Sequence, residues 1–268
     1  NYLVVASERL RQTDGWMQVA GALKAKHSCD WVFYTDELEE ILPALKSAKP
    51  QLIGLVAMPT EAGHEVVREM NRLVRRIDDD PYADAQWGLI TGSRWEDAME
   101  VVRAEKPLVI QTALANTPIP IERVGSGTYF DEGVAGRRVE ARQGKQAVEV
   151  QGEEVIAEDF AAAFNSLNPD LLVTSGRTNE ERWMLGYTFD GGRVVVEEGD
   201  LRTRTPDGQE TPLRNDGPMA MIGAGSCLLG HVPDEHALPL AFIRHGGARQ
   251  IIGYATTTWY GRGGWDTL

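Results

Sequence analysis

Two apolar runs of this 268-residue chain end in small residues that could do chemistry. Leu171 to Thr174 runs into Ser175-Gly176-Arg177. Met219 to Ile222 passes through Gly223, Ala224, Gly225 and Ser226 and stops at Cys227. Each reads as a β-strand with a small-residue loop at its carboxyl end. In open α/β sheets, ligands meet the protein at the carboxyl ends of strands. If these two strands are parallel neighbours, their tips face one crevice. The Cys227 thiol is then a candidate nucleophile, and the N–H groups of Gly176 and Cys227 are candidate oxyanion donors. Ser175 and Ser226 are candidate substrate contacts, because small neighbours let a substrate approach the backbone closely. The plain alternative is that Cys227 is a buried small hydrophobe.

A thiol nucleophile needs a base, usually histidine. The histidines are His27, His64, His231, His236 and His245. His231 and His236 follow Cys227 closely and read either as surface residues or as a replacement base. His245-Gly246-Gly247 fits a helix C-terminus better than a catalytic pair, since a basic residue followed by glycine is favoured there. HVPDEH (231–236) lacks the HExxH spacing of a zinc site, and GAGSCLLG lacks the GxGxxG spacing of a dinucleotide site. Asp78, Asp79 and Asp80 offer oxygen ligands for calcium, although an acidic run before a proline turn is more often solvated. No other cofactor is indicated. Trp259, Tyr260 and Trp265 read as core or interface aromatics, with Trp259 a candidate lining residue of a peptide groove.

Alternating strands and helices must position these groups. Strands are expected at Tyr2 to Ala6, Trp31 to Tyr34, Gln51 to Ala57, Trp87 to Thr91 and Leu108 to Gln111. Between them lie helical stripes, such as Trp16, Val19, Ala20 and Leu23 behind Asp14. Asp36 with Glu39, and Ser93 with Glu96, have capping-box spacing. Pro43 sits inside one stripe, and Thr60 opens a longer helix reaching Ile77. This alternation predicts a parallel sheet covered on both faces over residues 1–112. Residues 113–152 have no helical period and read as a linker with irregular or hairpin structure. Alternation resumes over 153–268: a helix near 155–166, the two strands above, a hairpin over 192–213 turning at Asp207-Gly208, a helix near 237–245, and a strand from Gln250 to Ala255. Two α/β lobes follow from this reading.

The net charge of −13 and the pI of about 4.9 argue against nucleic acid as a partner. No apolar run approaches the roughly 18 residues of a membrane span, and no secretory signal is visible. Asn1 in place of Met implies trimming. Cys29 and Cys227 allow one disulfide but no framework, and Cys29 is most simply structural. Compartment and oligomeric state stay open.

The chain resembles the gingipain-type cysteine peptidases of the caspase-like clan. That clan has an apolar strand ending in a His-Gly or Gly-His pair, followed by another ending in Ala-Cys or Ser-Cys. DLLVTSG (170–176) and MAMIGAGSC (219–227) match these strands in order. ARQIIGYATTTWYG (248–261) resembles the segment after the nucleophile in large bacterial relatives. IDDDPYADAQWGLITG (77–92) is similar to a first-lobe segment. The resemblance implies a three-layer α/β/α fold in two lobes, with mainly parallel sheets and a peptide or protein substrate. It implies Cys227 as nucleophile and Gly176 and Cys227 as oxyanion donors. Such relatives continue beyond the position of Leu268, so the chain is expected to be truncated there. The position of the family histidine is Arg177, 50 residues before Cys227. Arginine stays protonated and is no general base near neutral pH, though its charge can favour a thiolate. Either an active peptidase uses another base, or the chain is an inactive relative that binds peptide or protein, with Arg177 holding a carboxylate.

Overall fold

The computed structural model describes residues 1–143 and 145–258, a mixed α/β protein with mainly parallel and some antiparallel sheets. The described chain falls into two compact units. The first holds Asn1–Glu105 with Val232–Glu235; the second holds Lys106–His231 and the described residues from His236 on.

In the first unit the order is β1 (Tyr2–Ser7), α1 (Asp14–His27), β2 (Asp30–Tyr34), α2 (Leu42–Ala48), β3 (Leu52–Val56), α3 (His64–Leu73), β4 (Gln86–Ile90) and α4 (Trp95–Arg103). The strands pair β2-β1-β3-β4, all parallel. Successive side chains of β1 go to opposite faces. Leu3 and Val5 pack with Ile41, Leu45, Met70 and Leu73. Val4 and Ala6 pack with Trp16, Val19, Ala20 and Leu23 of α1 and with Ala98, Met99 and Val102 of α4. A strand buried on both faces must be apolar throughout, which is why LVVA reads as a continuous run.

Several boundaries differ from the expected ones. Pro43 lies in the first turn of α2, where its missing N–H has no partner to lose. Thr60 lies in a short 3₁₀ turn, and α3 starts four residues later behind Gly63. The caps form one residue later than the spacing predicted, with Glu40 accepting the Glu37 N–H and Asp97 the Arg94 N–H at 3.1 Å; the Arg94 guanidinium, which has no acceptor, cannot complete a box. In the first, the Glu40 carboxylate accepts N–H bonds from Thr35, Asp36 and Glu37, each at 2.9 Å. These bonds, that of Glu37 foremost, hold its pKa down to about 2 from the ordinary 4.5. A depressed carboxylate stabilises the fold above its unfolded pKa and loses that contribution as pH falls through the folded value. Glu40→Ala is therefore expected to lower the urea midpoint at pH 7. The gap to wild type should close between about 4.5 and about 2; a gap constant across that range would show that the carboxylate charge is not involved.

The second unit contains β5 (Thr112–Ala115), β6 (Ser126–Phe130), β7 (Arg137–Ala141), β8 (Val148–Gln151), α5 (Ala157–Leu167), β9 (Leu171–Gly176), β10 (Arg182–Met184), β11 (Arg193–Glu197), β12 (Asp200–Arg204), β13 (Glu210–Pro212), β14 (Met219–Ser226), α6 (Leu238–His245) and β15 (Ala248–Ile252). One sheet runs β15-β14-β9-β5-β6-β7-β8. It is parallel from β15 to β6 and antiparallel beyond. A second, antiparallel sheet runs β10-β11-β12-β13. Leu114, Leu172, Met219 and Met221 form one core with Phe160 and Phe164 of α5, Phe242 of α6, and Trp183, Val194 and Leu201 of the smaller sheet. Ala113, Ala115, Val173, Tyr129 and Val139 pack on the other face with Ile121.

Residues 113–152, read as a linker with irregular or hairpin structure, carry most of β5 together with β6, β7 and β8, which pair as successive antiparallel hairpins within the larger sheet. Their strands are four or five residues long, and the outermost, β8, is largely exposed. Polar residues on such an edge dilute the apolar alternation that marks a strand. Leu108 to Gln111 is no strand; Val109 is 62% exposed, and the strand begins at Thr112. The expected single hairpin over 192–213 is three strands of a four-stranded meander. Asp207-Gly208 turns between β12 and β13, and Glu198-Gly199, both at positive φ, turns between β11 and β12.

Candidate functional site

β9 and β14 are hydrogen-bonded parallel neighbours, and Ser226 pairs with Gly176 at their carboxyl ends. A β-bulge creates this register. Gly223 pairs with Thr174 and Gly225 with Ser175, so Ala224 is the extra residue. Without the bulge, Gly225 would face Gly176. Bulges re-aim side chains at strand ends in this way. The buried hydroxyls of Thr174 and Ser226 share a hydrogen bond of 2.9 Å across the pair. Ser226 therefore braces the two strands, and its hydroxyl faces no solvent.

The chain leaves β14 sharply. Leu228 adopts φ of +55°, a left-handed conformation uncommon for a non-glycine residue. Its N–H donates to Thr256 O, and that of Gly230 to Tyr254 O, so the turn is stitched to the segment after β15. The half-buried Cys227 sits at the start of this turn. Its S–H donates to Thr258 O at 3.1 Å, and its sulfur accepts the Thr258 N–H at 3.3 Å. Among the described residues these are the thiol's hydrogen bonds, and no imidazole is one of them. Both cysteines are free thiols, and the disulfide that the sequence allowed is not formed. Cys29 packs against the α1 core with its S–H 3.8 Å from Lys24 O.

Gly176 turns the chain away from β9 at φ of +109°. A Cβ there would lie 2.9 Å from Met184 O. Only glycine fits both the conformation and that approach. One residue on, Arg177 O accepts the Met184 N–H at 2.8 Å, and the Arg177 guanidinium lies over the Tyr187 ring, 5.7 Å from its centre. Ser175 is buried, its N–H donates to Asn116 Oδ1 at 2.9 Å, and its carbonyl accepts the Trp183 indole N–H at 2.7 Å.

His245 lies at the other end of β14. Its carbonyl accepts the Asn215 N–H, and the Gly247 carbonyl accepts that of Met219, the first residue of the strand. An eight-residue strand spans about 26 Å at its usual rise, so His245 cannot serve Cys227. Its Nε2 instead lies 3.0 Å from Gly199 O, and burial, ahead of the nearby Arg214 charge, pushes its pKa below the ordinary histidine value. His231 belongs to the turn after Cys227, its N–H donating to Leu228 O, and His236 is exposed. Trp259 lies outside the described residues.

Two positions at the same sheet edge escaped the sequence reading. Asn116 follows β5 directly, and Glu132 follows β6 by two residues; both are buried. Glu132 Oε1 accepts from the Thr117 hydroxyl at 3.1 Å, and Glu132 O accepts the Tyr187 N–H at 2.7 Å. The sequence signal was present in ALANT and YFDEG, small or apolar runs ending in polar residues, but it lay inside the supposed linker. Polar residues thus follow the carboxyl ends of four neighbouring parallel strands, β14, β9, β5 and β6.

The acidic loop of the first unit is arranged differently from the expected trio. Asp78, Asp80 and Asp84 bring carboxylate oxygens within 4.8 Å of one another, and Asp79 is not among them. Such a cluster could hold a metal ion, although exposed acidic groups commonly gather without one. Asp78 and Asp80 also accept backbone N–H bonds from Asp80 and Tyr82. Desolvation, then the Asp78 carboxyl, pushes the Asp84 pKa up. Among the described residues, no helix is long and apolar enough to cross a membrane. No protein-family model, curated protein or solved structure matches the chain.

Proposed function

We propose that this chain is a cysteine peptidase domain of gingipain-like, caspase-like type, a two-lobed α/β/α protein acting on peptide bonds. The observation behind this reading is the register of Ser226 against Gly176 at the carboxyl ends of two parallel strands. It sets Cys227 beside the Gly176-Arg177 turn. In the reaction, the Cys227 sulfur attacks a peptide carbonyl and forms a C–S bond. The Gly176 and Cys227 N–H groups receive the developing oxyanion. A base takes the thiol proton and returns it to the leaving amine, and water then releases the acyl group.

A second reading, an inactive domain that binds peptide or protein, is favoured by two details. Arg177 occupies the position of the base, and the Cys227 S–H is held by Thr258 O, a bond that must open before attack.

An irreversible thiol-reactive peptidyl probe separates the two. Wild type should label, and Cys227→Ala should not. Arg177→His should raise the labelling rate by roughly a hundredfold, the lower end of what a positioned general base contributes. If neither wild type nor Arg177→His labels at any pH, acyl transfer is excluded and peptide binding is left.

A further inference from the structure

The β9 tip opens on a cavity of about 740 Å³ whose lining includes Arg177, Arg182, Met184, Tyr187, Asp190 and Arg193. Three arginines share this one surface. Arg193 pairs directly across from Met184, and Arg182 lies two residues from Met184 on the same strand. Residues two apart on a strand, and those directly across from them, lie on one face. Arg177, whose carbonyl holds the Met184 N–H, lines the same cavity from the turn after β9. The buried Trp183 occupies the opposite face and anchors it.

These guanidinium groups have no carboxylate partner among the described residues. The contrast with the rest of the same small sheet is informative. Arg202 pairs with Asp200 and Glu210, Arg204 with Glu197 and Glu210, and Arg214 with Asp200. A chain with 40 acidic residues against 27 basic ones has carboxylates to spare, yet no described carboxylate forms an ion pair with Arg177, Arg182 or Arg193. Asp190, the one carboxylate among the lining residues, instead accepts the Gly192 N–H at 3.1 Å. Three guanidinium charges against the single Asp190 carboxylate leave the cavity net positive, and an anion relieves the remaining repulsion. A guanidinium presents paired N–H donors that match a carboxylate. Tyr187, Phe189 and Met184 supply apolar wall for the stem of a side chain. The acidic surface disfavours a polyanion, so a singly charged group fits best.

We propose that this cavity is a subsite for an aspartate or glutamate side chain of a bound peptide. The proposal rests on the peptide-binding reading above and adds the class of residue recognised. Arg177 follows Gly176, and Cys227 follows the residue paired with Gly176, so the cavity starts one residue along the chain from the strand tip that lies beside the Cys227 turn.

The test is binding of an end-blocked, fluorescein-labelled Ala-Ala-Asp-Ala-Ala peptide and its Asn counterpart to the Cys227→Ala protein. Using that variant separates binding from chemistry, so thiol-probe labelling can fail while the acid preference holds, and the reverse. The Asp peptide should bind roughly tenfold tighter than the Asn peptide, the scale of a hydrogen bond to a charged group. The preference should shrink with added salt, disappear in Arg182→Gln/Arg193→Gln, and return in part in Arg182→Lys/Arg193→Lys. Equal affinity for the two peptides, or a preference unchanged in the double glutamine variant, would overturn the proposal. So would inorganic phosphate displacing the Asp peptide at concentrations where acetate does not.

Discussion

Trp183→Ala should lower the stability of the second unit by about 3–5 kcal/mol, the usual cost of truncating a buried large aromatic. The side chain is fully buried and meets Phe160 edge-on, with ring centres 5.3 Å apart. Phe160 in turn packs with Phe130 and Phe164, so the cavity would open in the middle of the main core. Trp183 also has a second role. Its indole N–H donates to Ser175 O at 2.7 Å, one residue before Gly176. Trp183→Phe keeps most of the burial and removes this bond. It should cost about 1–3 kcal/mol, because the Ser175 carbonyl is left without that donor in a buried place. Urea unfolding of both variants measures the two contributions. A Trp183→Phe protein as stable as wild type would mean that the indole packs well but does not fix the β9 tip.

Gly176→Ala should be the most damaging single methyl group at the site. The backbone there holds φ of +109°, and the new Cβ would lie 2.9 Å from Met184 O. The conformation alone costs about 1–3 kcal/mol. The carbonyl that blocks the methyl belongs to β10, so relief requires β10 to move away from the β9 tip. That motion would pull apart Met184 N–H and Arg177 O, 2.8 Å apart in the structure. Thiol-probe labelling and the preference for acidic peptides should therefore fall together. Gly208→Ala is the comparison: its φ is +94°, but nothing lies within 4 Å of the added Cβ. It should pay for conformation only and leave both readouts unchanged. If Gly176→Ala behaves like Gly208→Ala, the close approach of β10 does not shape the site.

The parts legible in the sequence were those written in local patterns. The apolar runs YLVVA, QLIGLVA and LLVT became β1, β3 and β9, because a strand buried on both faces must be apolar along its length. Trp16, Val19, Ala20 and Leu23 became the buried face of α1. The carboxylate caps of two helical turns were located to within one residue. The tips ending in Gly176 and Cys227 were also readable, because each is a change of texture at the end of an apolar run.

Other features were out of reach. The strands of 113–152 are short and half polar, and what makes them strands is pairing with neighbours far along the chain. The bulge at Ala224 has no local signature, since its only evidence is the pairing of β14 against β9. Asn116 belongs to the site solely because β5 lies beside β9. The arginine face needed the register of β10 against β11.

Residue order by itself determined which segments extend, which coil, and which two strand ends are small enough for chemistry. Tertiary structure alone decided that those ends lie side by side, that Thr258 occupies the thiol, and that His245 stands a strand's length away. The physical reason is that burial patterns are set by each residue's immediate neighbours in the chain. Strand order and register are set by contacts between segments 50 or more residues apart, and no local pattern encodes those.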